Sequence, residues 1–95
     1  MSEAIYCFDT ATVRFAIYPW GVGGGRLIAE IEEDPLRDLF GATGGGDSLV
    51  AAYERNASTI NSRAITRYRE SPYQSVRLET LDFELAGQLA RAFAD

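Results

Sequence analysis

The chain has 95 residues, 46% of them hydrophobic, which excludes a disordered segment and leaves room for one domain spanning residues 1–95. Its net charge is −5, with no lysine and no histidine, which argues against broad salt-driven contact with nucleic acid and removes the commonest general base and metal ligand. A single cysteine, Cys7, excludes an internal disulfide, and no apolar run reaches the ~20 residues of a membrane span.

The first four residues, Met1-Ser2-Glu3-Ala4, carry no basic segment ahead of an apolar run, so no secretory signal is expected and a cytoplasmic location is. Residues 4–8 form a short leading strand in this reading. Val13, Phe15 and Ile17 then alternate with Thr12, Arg14, Ala16 and Tyr18, the period of a half-buried strand. Pro19 ends it, because proline cannot donate to a ladder. Residues 19–25 make a glycine-rich turn, and Leu27, Ala29 and Ile31 continue as an antiparallel partner. Asp34-Pro35 predicts a helix start, with Asp34 as the cap and Pro35 at the first position. Leu36, Leu39 and Phe40 share its face, and Gly41 stops it.

Asp47 or Ser48 caps the next helix, which is expected to run unbroken to Arg69 or Glu70. Leu49, Tyr53, Ala57, Ile60, Ala64 and Tyr68 form one stripe along it, and its length is about 33 Å. Ser71-Pro72 terminates it. Residues 74–81 predict another strand, with Val76, Leu78 and Thr80 on one face. Asp82 caps a last helix built on Leu85, Leu89 and Phe93. The order β-β-α-α-β-α, with one more strand if the leading segment pairs, predicts an α+β fold. Its small antiparallel or mixed sheet has three to four strands, and the helices pack on one face.

Two glycine clusters invite nucleotide readings that their contexts reject. Gly41-Ala42-Thr43-Gly44-Gly45-Gly46-Asp47-Ser48 has the spacing of a phosphate loop, but a carboxylate stands where lysine is needed and a helix precedes it instead of a strand. Residues 21–25 lead into a strand, so no helix N-terminus faces a would-be pyrophosphate. No cofactor and no metal site is expected. Triads that need histidine are impossible within the chain. The acids of residues 30–38 are the material for a carboxylate-dependent hydrolase or lyase, and equally for a solvated edge and a helix cap. Cys7 is expected to be a small buried apolar residue, since neither Tyr6 nor Phe8 lowers a thiol pKa. Tyr18, Trp20 and Tyr73 lie in or beside turns, where an aromatic contact patch forms or a core edge is covered.

Residues 1–47 carry three arginines against eight acids, whereas residues 55–69 carry four arginines and no acid. Asn56, Thr59, Arg63 and Arg67 project from one side of the long helix, with Arg55 nearby. Arg63 and Arg67 are four apart, so they repel unless something negative stands between them. Pairing with the chain's own acids at 30–38 is the expectation, and an anion or nucleic-acid site at Asn56, Arg63, Arg67 and Arg55 is the alternative.

Val13-Arg14-Phe15, residues 27–32, Pro35-Leu36-Arg37-Asp38-Leu39-Phe40-Gly41, Leu49, Tyr53, Arg55, Asn56, Ile60, Ala64, Tyr68, Val76-Arg77-Leu78 and Asp82-Phe83 together resemble the bacterial family catalogued as domain of unknown function 1488. The resemblance implies a compact α+β fold and carries no active site with it. The functional expectation is a non-enzymatic interaction or accessory domain, acting through a surface shared with a protein partner or a second copy. Burying only about 60–65% of the area its unfolded form exposes, a chain this short gains from such pairing.

Overall fold

The computed structural model describes residues 4–21 and 23–83. Three antiparallel neighbours form first: β1 (Ile5–Cys7), β2 (Thr12–Ile17) and β3 (Leu27–Glu32). The chain then crosses the sheet through α1 (Glu33–Asp38), α2 (Gly46–Arg55) and α3 (Ala57–Glu70) and returns as β4 (Arg77–Leu78), parallel to β3. The long crossover is what permits a parallel return, which a tight turn cannot make. The sheet order is β1-β2-β3-β4, so the architecture is an α+β fold with a mixed four-stranded sheet. The leading segment does pair, as the fourth strand.

The alternation read in β2 and β3 sets the layers. Val13, Phe15, Ile17, Ala29 and Ile31 are buried on one face beneath the helices. Leu36, Leu49, Ala52, Tyr53, Ile60 and Ala64 meet them from above, and Val76 and Leu78 close the β4 side. Each fully buried Val, Leu, Ile or Phe here contributes about 1.5–3 kcal/mol through removal from water. The Phe15 and Tyr53 rings stack at 4.7 Å across the two layers.

Several element boundaries differ from expectation, and α1 ends at Asp38 with Leu39 as its C-cap, short of Phe40 and the expected stop at Gly41. The unbroken helix over 47–69 is two helices, parted at Asn56 (φ −123°, ψ 21°). The Asn56 amide Nδ2 donates to the Ala52 carbonyl at 2.8 Å, and the Asn56 backbone N–H turns to the Tyr53 carbonyl at 3.0 Å. The side chain has taken the acceptor that the backbone needs to continue an α-helix, which is how asparagine competes with helical structure. The expected stripe survives the break, with Leu49, Tyr53, Ile60 and Ala64 buried and Ala57 and Tyr68 half-buried.

α1 begins two residues early, with Glu32 as its N-cap and Pro35 inside its first turn. α2 is entered from Gly45 with no side-chain cap, and Ser48 Oγ instead accepts the Thr43 N–H at 3.0 Å. The strand expected over 74–81 shortens to Arg77–Leu78, because a helix starts at Thr80. That helix is described as far as Phe83. The positions Leu85, Leu89 and Phe93 lie outside the described residues.

Candidate functional site

The even positions of β2 and β3 point away from the helices, and among the described residues all of them except the buried Thr12 are at least partly exposed. Ile5 faces Arg14, Arg14 faces Glu30, Ala16 faces Ile28, and Glu30 faces Arg77 across the strands. Two zones result. An apolar zone consists of Ile5, Ala16 and Ile28, with Ile5 60% and Ile28 56% exposed. A hollow of about 260 Å³ lies there, bounded by Ile5, Arg14, Phe15, Ala16, Arg26 and Ile28.

Beside it runs a ladder of alternating charge. Arg14 Nε donates to Glu30 Oε1 at 3.1 Å, Arg77 Nη1 lies 3.7 Å from Glu30 Oε2, and Arg77 Nε donates to Glu32 Oε2 at 2.8 Å. Thr12 Oγ1 donates to Glu30 Oε2 at 3.2 Å, and the Thr10 and Thr12 hydroxyls lie 2.7 Å apart. Cross-strand opposite charges of this kind add a few tenths to ~1 kcal/mol per pair and hold the side chains flat against the sheet. The hydrogen bond to Glu32, helped by the charges of Glu32, Glu30 and Glu79, raises the Arg77 pKa.

Cys7 lies at the β1 end of this face. It is half-buried, not buried, and hydrogen bonds from the Thr10 side chain and backbone, helped by the Arg14 charge, hold its thiol below the ordinary range. The groups responsible are neighbours in the turn and across the sheet, which Tyr6 and Phe8 in the sequence did not reveal.

Of the acids of residues 30–38, Glu32, Glu33 and Asp34 line one open hollow of about 300 Å³ with Ala11 and Arg77. Glu30 and Glu32 belong to the ladder. Glu33 accepts from Tyr6 Oη at 2.7 Å and from Arg37 Nη2 at 3.1 Å. The Tyr6 hydrogen bond, followed by the Arg37 contact, lowers the Glu33 pKa. A general acid needs the opposite shift. Among the described residues no group of three His, Cys, Asp or Glu side chains is arranged to hold a metal.

The arginine cluster is brought together, but inward. Arg67 Nη1 donates to Asp82 Oδ1 at 2.7 Å, and Arg63 Nη2 stands 3.9 Å from the same oxygen. Asp82 is only 8% exposed. Its other oxygen accepts the Glu79 N–H at 2.8 Å, so Asp82 caps its helix from the third position and not from the first. Internal pairing was the expectation, but the partner is Asp82 and not the acids at 30–38. Arg63 Nε remains buried with no hydrogen-bond partner. Asn56 is half-buried and engaged with Ala52, Thr59 is exposed, and Arg55 ends α2 on exposed ground, whereas Arg63 and Arg67 are half-buried beside Asp82. The aromatic residues scatter likewise. Trp20 sets its ring edge against Tyr68 at 5.8 Å, Arg69 Nη2 donates to the Pro19 carbonyl at 3.1 Å, and Tyr73 stands in solvent.

The described residues define a small α+β protein with helices on one face of a mixed sheet and, on the other, a partly apolar, partly ion-paired face that no described element covers. The chain matches no family model, no curated protein and no solved structure. No helix among the described residues is long and apolar enough to cross a membrane.

Proposed function

We propose that this protein is a non-enzymatic interaction module that docks a protein partner on the bare face of its sheet. The observation that carries the reading is the apolar zone of Ile5, Ala16 and Ile28, exposed on regular structure and rimmed by the Arg14–Glu30–Arg77–Glu32 ladder. An apolar centre with a polar, pre-paired rim is the usual anatomy of a protein interface. Side chains already held by cross-strand ion pairs lose little freedom on docking. A reducing, cytoplasmic setting suits a chain with one half-exposed thiol. Kinship with the bacterial family of domain of unknown function 1488 belongs to the same proposal and adds no chemistry to it.

The test is a photo-crosslinking residue placed at position 28 in living cells, with one at exposed Thr66 on α3 as the control. One dominant adduct from position 28, lost on Ala16→Glu, supports the reading. Adducts no different from those at position 66 remove it.

A second reading, anion or nucleic-acid binding at Asn56, Arg63, Arg67 and Arg55, is favoured by a single observation, the partnerless Nε of Arg63. It requires Arg67 to leave Asp82, and breaking a half-buried ion pair is costly. Retention on single-stranded oligonucleotides in low salt, abolished by Arg63→Glu, would establish it. Free passage through the column would dismiss it.

A further inference from the structure

The hollow on the sheet face has charge of one sign at its rim. Its apolar floor is the cross-strand pair of Ala16 and Ile28, with Ile5 on the β1 side. Arg14 stands two residues from Ala16 at one end of this pair, and Arg26 stands two residues from Ile28 at the other end. Each arginine position is therefore about 6.5–7 Å from the apolar pair along the strands. Among the described residues no acid lines the hollow. Across the whole face, Arg14, Arg26 and Arg77 stand against Glu30 and Glu32, in a chain whose net charge is −5. Arg14 gives its Nε to Glu30, and Arg26 has an interaction of its own within the chain. A guanidinium offers five donors in a fixed fork, so a second carboxylate can join the first on it. The hollow holds about 260 Å³, under the roughly 300–1,000 Å³ of sites that enclose a small molecule, and so suits one anchoring side chain.

We propose that the partner's contact segment is acidic, with one apolar side chain seated in this hollow between two carboxylates that meet Arg14 and Arg26. An extended run of the form Glu-x-Leu-x-Glu gives the required spacing, because its own same-face residues are also about 6.5–7 Å apart. This names the partner's chemistry for the sheet-face docking of the preceding section and rests on that reading. Charge complementarity selects such a segment over a basic one and over a second copy presenting the same arginines.

The test is an NMR titration of the nitrogen-labelled protein with three capped heptapeptides: Thr-Glu-Thr-Leu-Thr-Glu-Thr, and its counterparts with Ser or Arg in place of both Glu. At millimolar concentration the Glu peptide is expected to shift the amides of Ile5, Ala16 and Ile28. It should bind roughly tenfold tighter than the Ser peptide and lose that advantage at high salt. The Arg peptide is expected not to bind. Arg26→Glu, on exposed ground, is expected to weaken the Glu peptide roughly fivefold with an unchanged circular dichroism spectrum. Equal binding of the three peptides, or a Glu peptide that leaves those amides unmoved, overturns the proposal. An adduct at position 28 that survives Arg26→Glu undiminished keeps the docking reading and removes the acidic segment, whereas its absence in the unaltered protein removes the docking reading itself. A fold lost in Arg26→Glu leaves the ranking of the three peptides on the unaltered protein as the deciding measurement.

Discussion

Ala11 has φ of 54°, the one positive value for a non-glycine residue among those described. It ends the turn between β1 and β2, where its N–H reaches the Phe8 carbonyl at 3.3 Å. An L-residue with a Cβ resists this left-handed conformation by about 1–2 kcal/mol. Glycine would escape that cost but lose about 0.5–1 kcal/mol through greater freedom in the unfolded chain. Ala11→Gly is therefore expected to stabilise the fold by roughly 0.5 kcal/mol in urea denaturation. Unchanged or lower stability would mean that the turn relaxes in solution. Tyr53 is the reverse case, where a side chain is well matched. Its hydroxyl donates to Asn61 Oδ1 at 2.7 Å, although in a straight helix residues eight apart are separated by about 12 Å along the axis. That bond exists only because the helix bends at Asn56. Tyr53→Phe should cost about 1 kcal/mol. Asn56→Ala should cost about as much, and the pair should be non-additive in a double-mutant cycle, since both support the same bend. Simple additivity would separate the bond from the bend.

At the scale of elements, three contacts hold the helices to the sheet and to one another. α2 approaches β1 so closely that a Cβ on Gly46 would lie 2.9 Å from the Tyr6 ring. The Tyr6 hydroxyl is tied to Glu33, so the ring cannot swing away without losing that bond. Gly46→Ala should destabilise by about 1–2 kcal/mol despite the better helix propensity of alanine, and far-UV spectra and urea midpoints would register it. Asp82 joins α3 to the helix that starts at Thr80. Removing it strands Arg63 and Arg67 as half-buried cations and uncaps that helix, so Asp82→Ala should cost about 3 kcal/mol. A loss below ~1 kcal/mol would place the two arginines in contact with water. The elements themselves were legible wherever burial follows a simple period, as in the alternation of residues 12–17 and the stripe from Leu49 to Tyr68. Capping was legible only in part, because Glu32 and Gly45 act through backbone geometry alone, while Asp82 caps with its carboxylate but from the third helical position and not the first. The break at Asn56 was not legible either, because it rests on one side-chain hydrogen bond that periodicity cannot register. Of the candidate site, the opposite face of β2 could be read as a face, but its ladder depends on the register that sets Arg14 beside Glu30 and Glu30 beside Arg77. Internal pairing of the α3 arginines could be expected, but not its partner, because the carboxylate they meet lies 15 residues beyond Arg67 and outside the acidic run at 30–38.

For the molecule as a whole, the titrating groups define how stability varies with pH. There is no histidine, so no side chain that ordinarily titrates near 6.5 is present. On the acid side the Tyr6 and Arg37 hydrogen bonds lower the Glu33 pKa. A lowered carboxylate favours the folded state above its unfolded value of about 4.3, and that contribution disappears as pH falls through the folded pKa. On the alkaline side the Tyr6 and Tyr53 pKa values are raised, Tyr6 chiefly by its bond to the Glu33 carboxylate and Tyr53 chiefly by burial. Their contribution is complete below the unfolded value of about 10 and is lost as pH rises through the folded values. Between these limits, among the described residues, the Cys7 thiol is shifted toward neutrality. Its lowered pKa makes stability rise slightly as pH climbs toward the unfolded value of about 8.5. Urea denaturation from pH 3 to 11 should therefore show a broad plateau with a shallow upward slope between neutrality and pH ~8.5, falling at both ends. Cys7→Ser should flatten the slope and leave the ends in place, while Tyr6→Phe should move the acid limb to higher pH. An acid limb that does not move in Tyr6→Phe would mean that Tyr6 does not hold Glu33 in solution. The α1 side of the sheet would then rest on the Glu33–Arg37 pair and the burial of Leu36.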